Sequence, residues 1–164
     1  MMKTYNEKLA QAIGTFFQVT QGPKYDFDQE NGVLHFSIEI NGKMRTLLCA
    51  ICVEEDDFMT FVTYPVGGDP SEKEMMLCLS EFLLRANYNL KMGSFQMNWE
   101  DGKVRFKLFT KCEGSLPMEE IIQQGIMYPL IMCEHYGDGF LDVIFGGVSP
   151  QEAVERCEKR LNKV

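Results

Sequence analysis

The polar and apolar positions of the chain change period several times, and each change marks an element. From Thr4 to Val19 the apolar residues Tyr5, Leu9, Ala12, Ile13, Phe16 and Phe17 recur at helical spacing, and Gly22-Pro23 ends the pattern. Strict alternation follows. Asn31-Gly32, Asn41-Gly42 and Asp101-Gly102 each sit between alternating runs, where a dipeptide tolerant of positive φ predicts a hairpin turn. A two-residue loop at Asn31-Gly32 pairs Phe27 with Phe36 and Tyr25 with Ile38. Asp26, Asp28, His35, Ser37 and Glu39 then fall on the outer face. A two-residue loop at Asp101-Gly102 pairs Trp99 with Val104, Met97 with Phe106, and Phe95 with Leu108. Glu100, Asn98, Gln96, Lys103, Arg105 and Lys107 then fill the other face, so register and burial agree.

The run Thr46 to Val53 is apolar on both faces, which predicts a central strand with both faces at least partly covered. A further strand follows from Phe58 to Pro65. Asp69-Pro70-Ser71-Glu72 has the composition of a helix start, with Asp69 as N-cap. The helix from Glu72 to about Asn87 is apolar over more than one stripe. One side should meet the sheet; the other meets either the C-terminal helices or a second subunit. Pro117 to about Phe145 is helical in pattern, with Gly125, Pro129 and Gly137-Asp138-Gly139 expected to kink or divide it. Gly146-Gly147 stops it, and Ser149-Pro150-Gln151-Glu152 starts a last helix reaching the C-terminus. The order is helix, four strands, helix, two strands, helices. It predicts one α+β domain over residues 1–164, a largely antiparallel sheet of five to six strands packed against helices on one face.

Composition narrows the function classes. The 164 residues carry a net charge of −8. An acidic surface repels nucleic-acid backbones and anionic membranes, so neither is expected as a partner. No signal-peptide core or membrane-span pattern is present, so a cytoplasmic location is expected. There the six cysteines, Cys49, Cys52, Cys78, Cys112, Cys133 and Cys157, are expected to be free thiols that pack as small apolar groups.

The candidate motifs for chemistry are weak. Cys49-Ala50-Ile51-Cys52 lies in a strand, where the two Cα atoms sit about 10 Å apart with side chains on opposite faces. A disulfide needs about 7 Å or less, and no second Cys/His pair completes a zinc site. Asp26 to Gly32 lacks the glycine and glutamate spacing of a calcium loop. Gly137-Asp138-Gly139 follows no strand and reads as a helix break. His35 faces Asp28 across the first hairpin, and His135 stands beside Glu134. HExxH, GxSxG and P-loop patterns are missing. The acidic run Glu54 to Asp57 is a solvated turn. Lys103, Arg105, Lys107 and Lys111 share a strand face while Phe106 points away, which suits protection of a sheet edge better than a stacking platform for nucleic acid. The 11 methionines include Met75, Met76, Met118, Met127 and Met132 on helical segments. They either fill the core or adapt to a partner.

The stretch Glu81 to Phe109 carries Leu83-Leu84-Arg85-Ala86-Asn87-Tyr88, then Gly93-Ser94-Phe95 and Asp101-Gly102-Lys103-Val104-Arg105-Phe106. With the tail Phe140 to Glu155, it resembles the YbjN-type family, whose members share the type III secretion chaperone-like fold. Four strands before the middle helix is one more than such chaperones usually show. The resemblance implies a small acidic homodimer that holds a segment of a partner protein, with no catalytic residues and no cofactor. A non-catalytic, chaperone-like or regulatory protein-binding module is therefore expected. Its candidate surface is Met75, Met76, Leu79, Leu83 and Leu84, or the second face of the central strand. The alternative is an enzyme or small-ligand protein with a dispersed site.

Overall fold

Six strands form one sheet in the order β1-β2-β3-β4-β6-β5, antiparallel at every pairing. The structure is a computed structural model and describes residues 4–112 and 116–161. Helix α1 (Glu7–Val19) precedes β1 (Tyr25–Asp28), β2 (Val33–Glu39), β3 (Thr46–Val53) and β4 (Asp57–Thr63). Helix α2 (Lys73–Tyr88) carries the chain across to β5 (Ser94–Met97) at the far edge. β6 (Val104–Lys111) returns to pair with β4. α3 (Glu119–Phe145) and α4 (Pro150–Leu161) follow. The fold is the expected α+β arrangement, with the helices gathered on one face of the sheet. Residues 162–164, into which the last helix was expected to run, lie outside the described residues.

The inner face supplies the core. Leu34, Phe36, Leu47, Cys49, Ile51, Val53, Phe58, Val62, Tyr64, Val104, Phe106 and Leu108 alternate along their strands, and all are buried. α3 lies over β4 and β6, and α2 packs against β5 and α4. α1 covers the β1–β2 end, where Phe17 meets the rings of Tyr25 and Phe36.

Both hairpins differ from expectation in the same way. Phe27 pairs with Leu34, not Phe36, and Met97 pairs with Val104, not Phe106. Each register is displaced by two residues, which leaves every side chain on its expected face because the strand period is two. The cause is a longer loop. Gly32 N–H donates to Asp28 O and Gly102 N–H to Asn98 O, at 2.9 and 2.8 Å. Asp28 Oδ1 accepts from the Glu30 and Asn31 amides, and Asn98 Oδ1 accepts from Glu100 N–H. Each loop thus begins with an Asx turn and ends on a glycine at φ +70°. Trp99 consequently sits in the loop and is 51 % exposed, instead of facing Val104.

Three further expectations change. α3 is one uninterrupted helix of 27 residues. Its glycines serve close packing: a Cβ on Gly125 would meet Thr110 Oγ1 at 2.5 Å, and one on Gly139 would meet Cys157 Sγ at 2.6 Å. Asp69 does not cap α2; its Oδ1 accepts from the Ser71 amide and hydroxyl, and the N-cap position is Glu72. The basic residues lie only partly on a sheet edge, because β5 pairs with β6 over Val104–Lys107 and not over Leu108–Lys111. The edges are β1 and β5, each four residues long, and short edges limit strand addition.

Candidate interaction surface

The two surfaces expected from the sequence fare differently. On α2, Met76, Leu79 and Leu83 lie in the core at 0, 0 and 4 % exposure, and Met75 is half-buried. Only Leu84 of the five is exposed, beside Leu77 and Tyr88 on the same stripe. The second side of this helix is filled by α3 and α4 of the same chain. Buried side chains cannot offer a docking surface without unfolding the helix layer, so the α2 surface is reduced to its outer stripe.

The second face of the central strand is a different case. β3 is central, yet among the described residues no helix lies on its outer side. Leu48 is 47 % exposed, and Ala50 and Cys52 are half-buried. The registers set their neighbours. Val33, Cys52, Met59 and Phe109 form one line across four strands, and Ala50, Phe61 and Lys107 form the next. Phe109 is 52 % exposed. Solvated faces of antiparallel sheets are usually polar; this one carries an apolar centre drawn from β2, β3, β4 and β6.

Charge is unevenly spread around that centre. β6 places Arg105, Lys107 and Lys111 on the outer side, and β1 and β2 place Asp26, Asp28 and Glu39 there. The Arg105 guanidinium lies 4.5 Å from the centre of the Phe61 ring, and Lys107 Nζ lies 5.9 Å from it. Arg105 Nε also donates to Gln96 Oε1. The aromatic rings missing from the basic face in the sequence reading are therefore present. Phe61 comes from β4, and Phe109 is two residues beyond Lys107 on β6 itself. Alternation along residues 103–111 was the available signal for Phe109; Phe61 needed the β4–β6 register.

The chemistry of the thiols and imidazoles is quiet. Cys49 and Cys52 point to opposite faces. Burial pushes the Cys49 thiol up to about 12. Burial also raises Cys52, with the Glu54 carboxylate adding to it, and raises Cys112, Cys133 and Cys157. A raised thiol is a poor nucleophile. Burial lowers His135, whose Nε2 has no hydrogen-bond partner. Among the described residues, no three His, Cys, Asp or Glu side chains gather as a metal site. The larger clefts are open. One of ≈ 770 Å³ runs between the start of α2 and the α3–α4 junction. Another, of ≈ 650 Å³, lies under the β5–β6 loop and is lined by Thr63, Gln96, Lys103 and Arg105. Among the described residues, no helix is long and apolar enough to cross a membrane.

Comparison with protein-family models, with curated proteins and with solved structures finds no match to this chain.

Proposed function

We propose that this chain is a non-catalytic protein-binding module, chaperone-like or regulatory, that works as a homodimer through the outer face of its sheet. The observation that carries this reading is the uncovered apolar centre of Leu48, Ala50, Cys52, Met59, Phe61 and Phe109. Apolar area left in water is stabilised by about 25 cal/mol per Å² when a partner covers it. A contiguous patch ringed by charge is the usual form of a protein contact site. The raised thiols and the scattered histidines support the non-catalytic part. The resemblance to YbjN-type proteins supports the chaperone-like part, and the net charge of −8 favours partners with basic or apolar segments.

The reading is tested by placing a photo-reactive amino acid at position 109 in cells that make the chain, with position 145 as an exposed control away from the sheet. Discrete protein adducts at 109, lost when Phe61→Glu is added, are expected. Adducts at 145 alone, or none, would overturn the proposal.

A further inference from the structure

Beyond the protein-contact reading, and independent of it, we propose that the corner where β4, β6 and β5 meet binds a small phosphate monoester, held by the Arg105 guanidinium. The registers assemble the place. Thr63, Arg105 and Gln96 form one row across the three strands on the outer face, and Phe61, Lys107 and Ser94 form the next. Arg105 is held at two points. Its guanidinium lies 4.5 Å from the centre of the Phe61 ring, and its Nε donates to Gln96 Oε1 at 3.1 Å. Covering the ring needs only the flat face of the guanidinium. The Nε bond is a second constraint, which fixes how the group turns within its plane. Among the described residues Gln96 is the one acceptor this side chain bonds, so both terminal amino groups stay unused. A planar fork of N–H donors matches two oxygens of one phosphate.

Shape and charge fit the same ligand. A cleft of ≈ 650 Å³ opens here, and its polar wall is Thr63, Gln96, Asn98, Asp101, Lys103 and Arg105. Small-molecule sites range over about 300–1,000 Å³, so there is room for the organic group of the ester as well as its phosphate. The loop that forms one wall is fixed. Gly68 N–H donates to Gly102 O at 3.0 Å, which ties the loop to the segment before α2, and Gly102 N–H closes the loop on Asn98 O. Alternate residues of a strand stand about 7 Å apart, so Lys103, Arg105 and Lys107 bring three cations to one face of β6. Asp101 is the carboxylate beside them, 3.5 Å from Lys103 Nζ. Glu100, in the same loop, does not line the cleft. Three positive charges less one leave two, in a chain whose net charge is −8. A phosphate monoester carries about −1.5 to −2 near pH 7, whereas a carboxylate or a phosphodiester carries a single charge. A local excess of two against that overall balance selects the dianion. The Thr63 hydroxyl and the Gln96 amide nitrogen add neutral donors.

The test is titration of the isotope-labelled full chain with phenyl phosphate in phosphate-free buffer, followed by the shifts of its backbone amides in NMR spectra. Benzoate and a short single-stranded oligonucleotide are the comparison probes. Phenyl phosphate is expected to give saturable shifts centred on Thr63, Gln96, Lys103 and Arg105, with a Kd at least about tenfold below that of benzoate. Arg105→Gln should weaken binding at least about tenfold, whereas Lys8→Gln, at an exposed position of α1, should leave it unchanged. Arg105→Lys keeps the charge without the fork and should also bind more weakly than wild type. Circular dichroism and melting curves confirm that each variant is folded. The absence of a saturable shift overturns the proposal. So do shifts spread over the surface cations that Lys8→Gln reduces as much as Arg105→Gln, and so does benzoate binding as tightly as phenyl phosphate. Full binding by Arg105→Lys would leave the fork without a role and overturn it as well. An oligonucleotide that binds more tightly than phenyl phosphate, and is lost in Arg105→Gln, would overturn it too, because the corner would then read a phosphodiester backbone. The phosphate site and the protein contact fail separately, since none of these probes is a second protein.

Discussion

Single side chains in this protein show where the core is imperfect. Thr60 sits on the inner face of β4 at 0 % exposure, and its Oγ1 has no hydrogen-bond partner. A buried hydroxyl without a partner gives up its water bonds for nothing, at a cost of about 1–3 kcal/mol. Thr60→Val keeps the shape and removes the donor. It should raise the unfolding free energy by about 1 kcal/mol, read as a higher urea midpoint with an unchanged slope. His135 makes a second prediction. Burial lowers its folded-state pKa below the ordinary histidine value of about 6.5, so the unfolded chain takes up the proton first on acidification. The stability held above pH 6.5 is then lost as pH falls towards the lowered value. Glu158 opposes the shift and Arg160 adds to it. His135→Gln should flatten the slope of melting temperature against pH in that window; an unchanged slope would place the acid sensitivity elsewhere.

At the scale of elements, α3 depends on glycines that its sequence pattern presented as breaks. A methyl on Gly125 would collide with Thr110 Oγ1 at 2.5 Å and with the Phe58 ring at 2.6 Å. Phe58 is buried in β4, so the helix would have to lift from the sheet. Gly125→Ala should therefore destabilise by about 1–3 kcal/mol, despite the roughly 1 kcal/mol that alanine gains over glycine in helix propensity. A melting curve equal to or above wild type would contradict this. The sequence made the elements legible where periodicity was strong. The hairpin faces survive a two-residue register change because alternation constrains parity, while loop length depends on Asx turns at Asp28 and Asn98 that a dipeptide rule does not see. The division allowed for in α3 does not occur, because glycine required for close approach looks the same as glycine required for a turn. On α2, the excess of apolar residues was legible, but whether helices or a second subunit covered them was not, since that is decided by where α3 and α4 return.

Among the described residues the molecule has two layers, a sheet and the helices on its inner face. Helices bury the inner face of the sheet, and the outer face keeps an apolar centre between an acidic and a basic column. The sequence marked β3 as apolar on both faces, which is the origin of this surface, but assigned the basic residues to an edge. β6 gains an outer neighbour over Val104–Lys107 because α2 carries the chain past it to β5. Phe61 and Arg105, 44 residues apart by their numbers, meet only through the β4–β6 register. Cys52 gives this face a natural reporter, and exposed Cys78 on α2 gives a reference away from it.

The most direct measurement is the alkylation rate of Cys52 relative to Cys78, read by mass spectrometry in living cells and again on dilute purified chain. A partner on the sheet should slow Cys52 in the cell severalfold against Cys78, and dilution should release it. The same ratio in both settings would mean that the outer face stands open in the cell, and the account of it as a protein contact surface would be wrong.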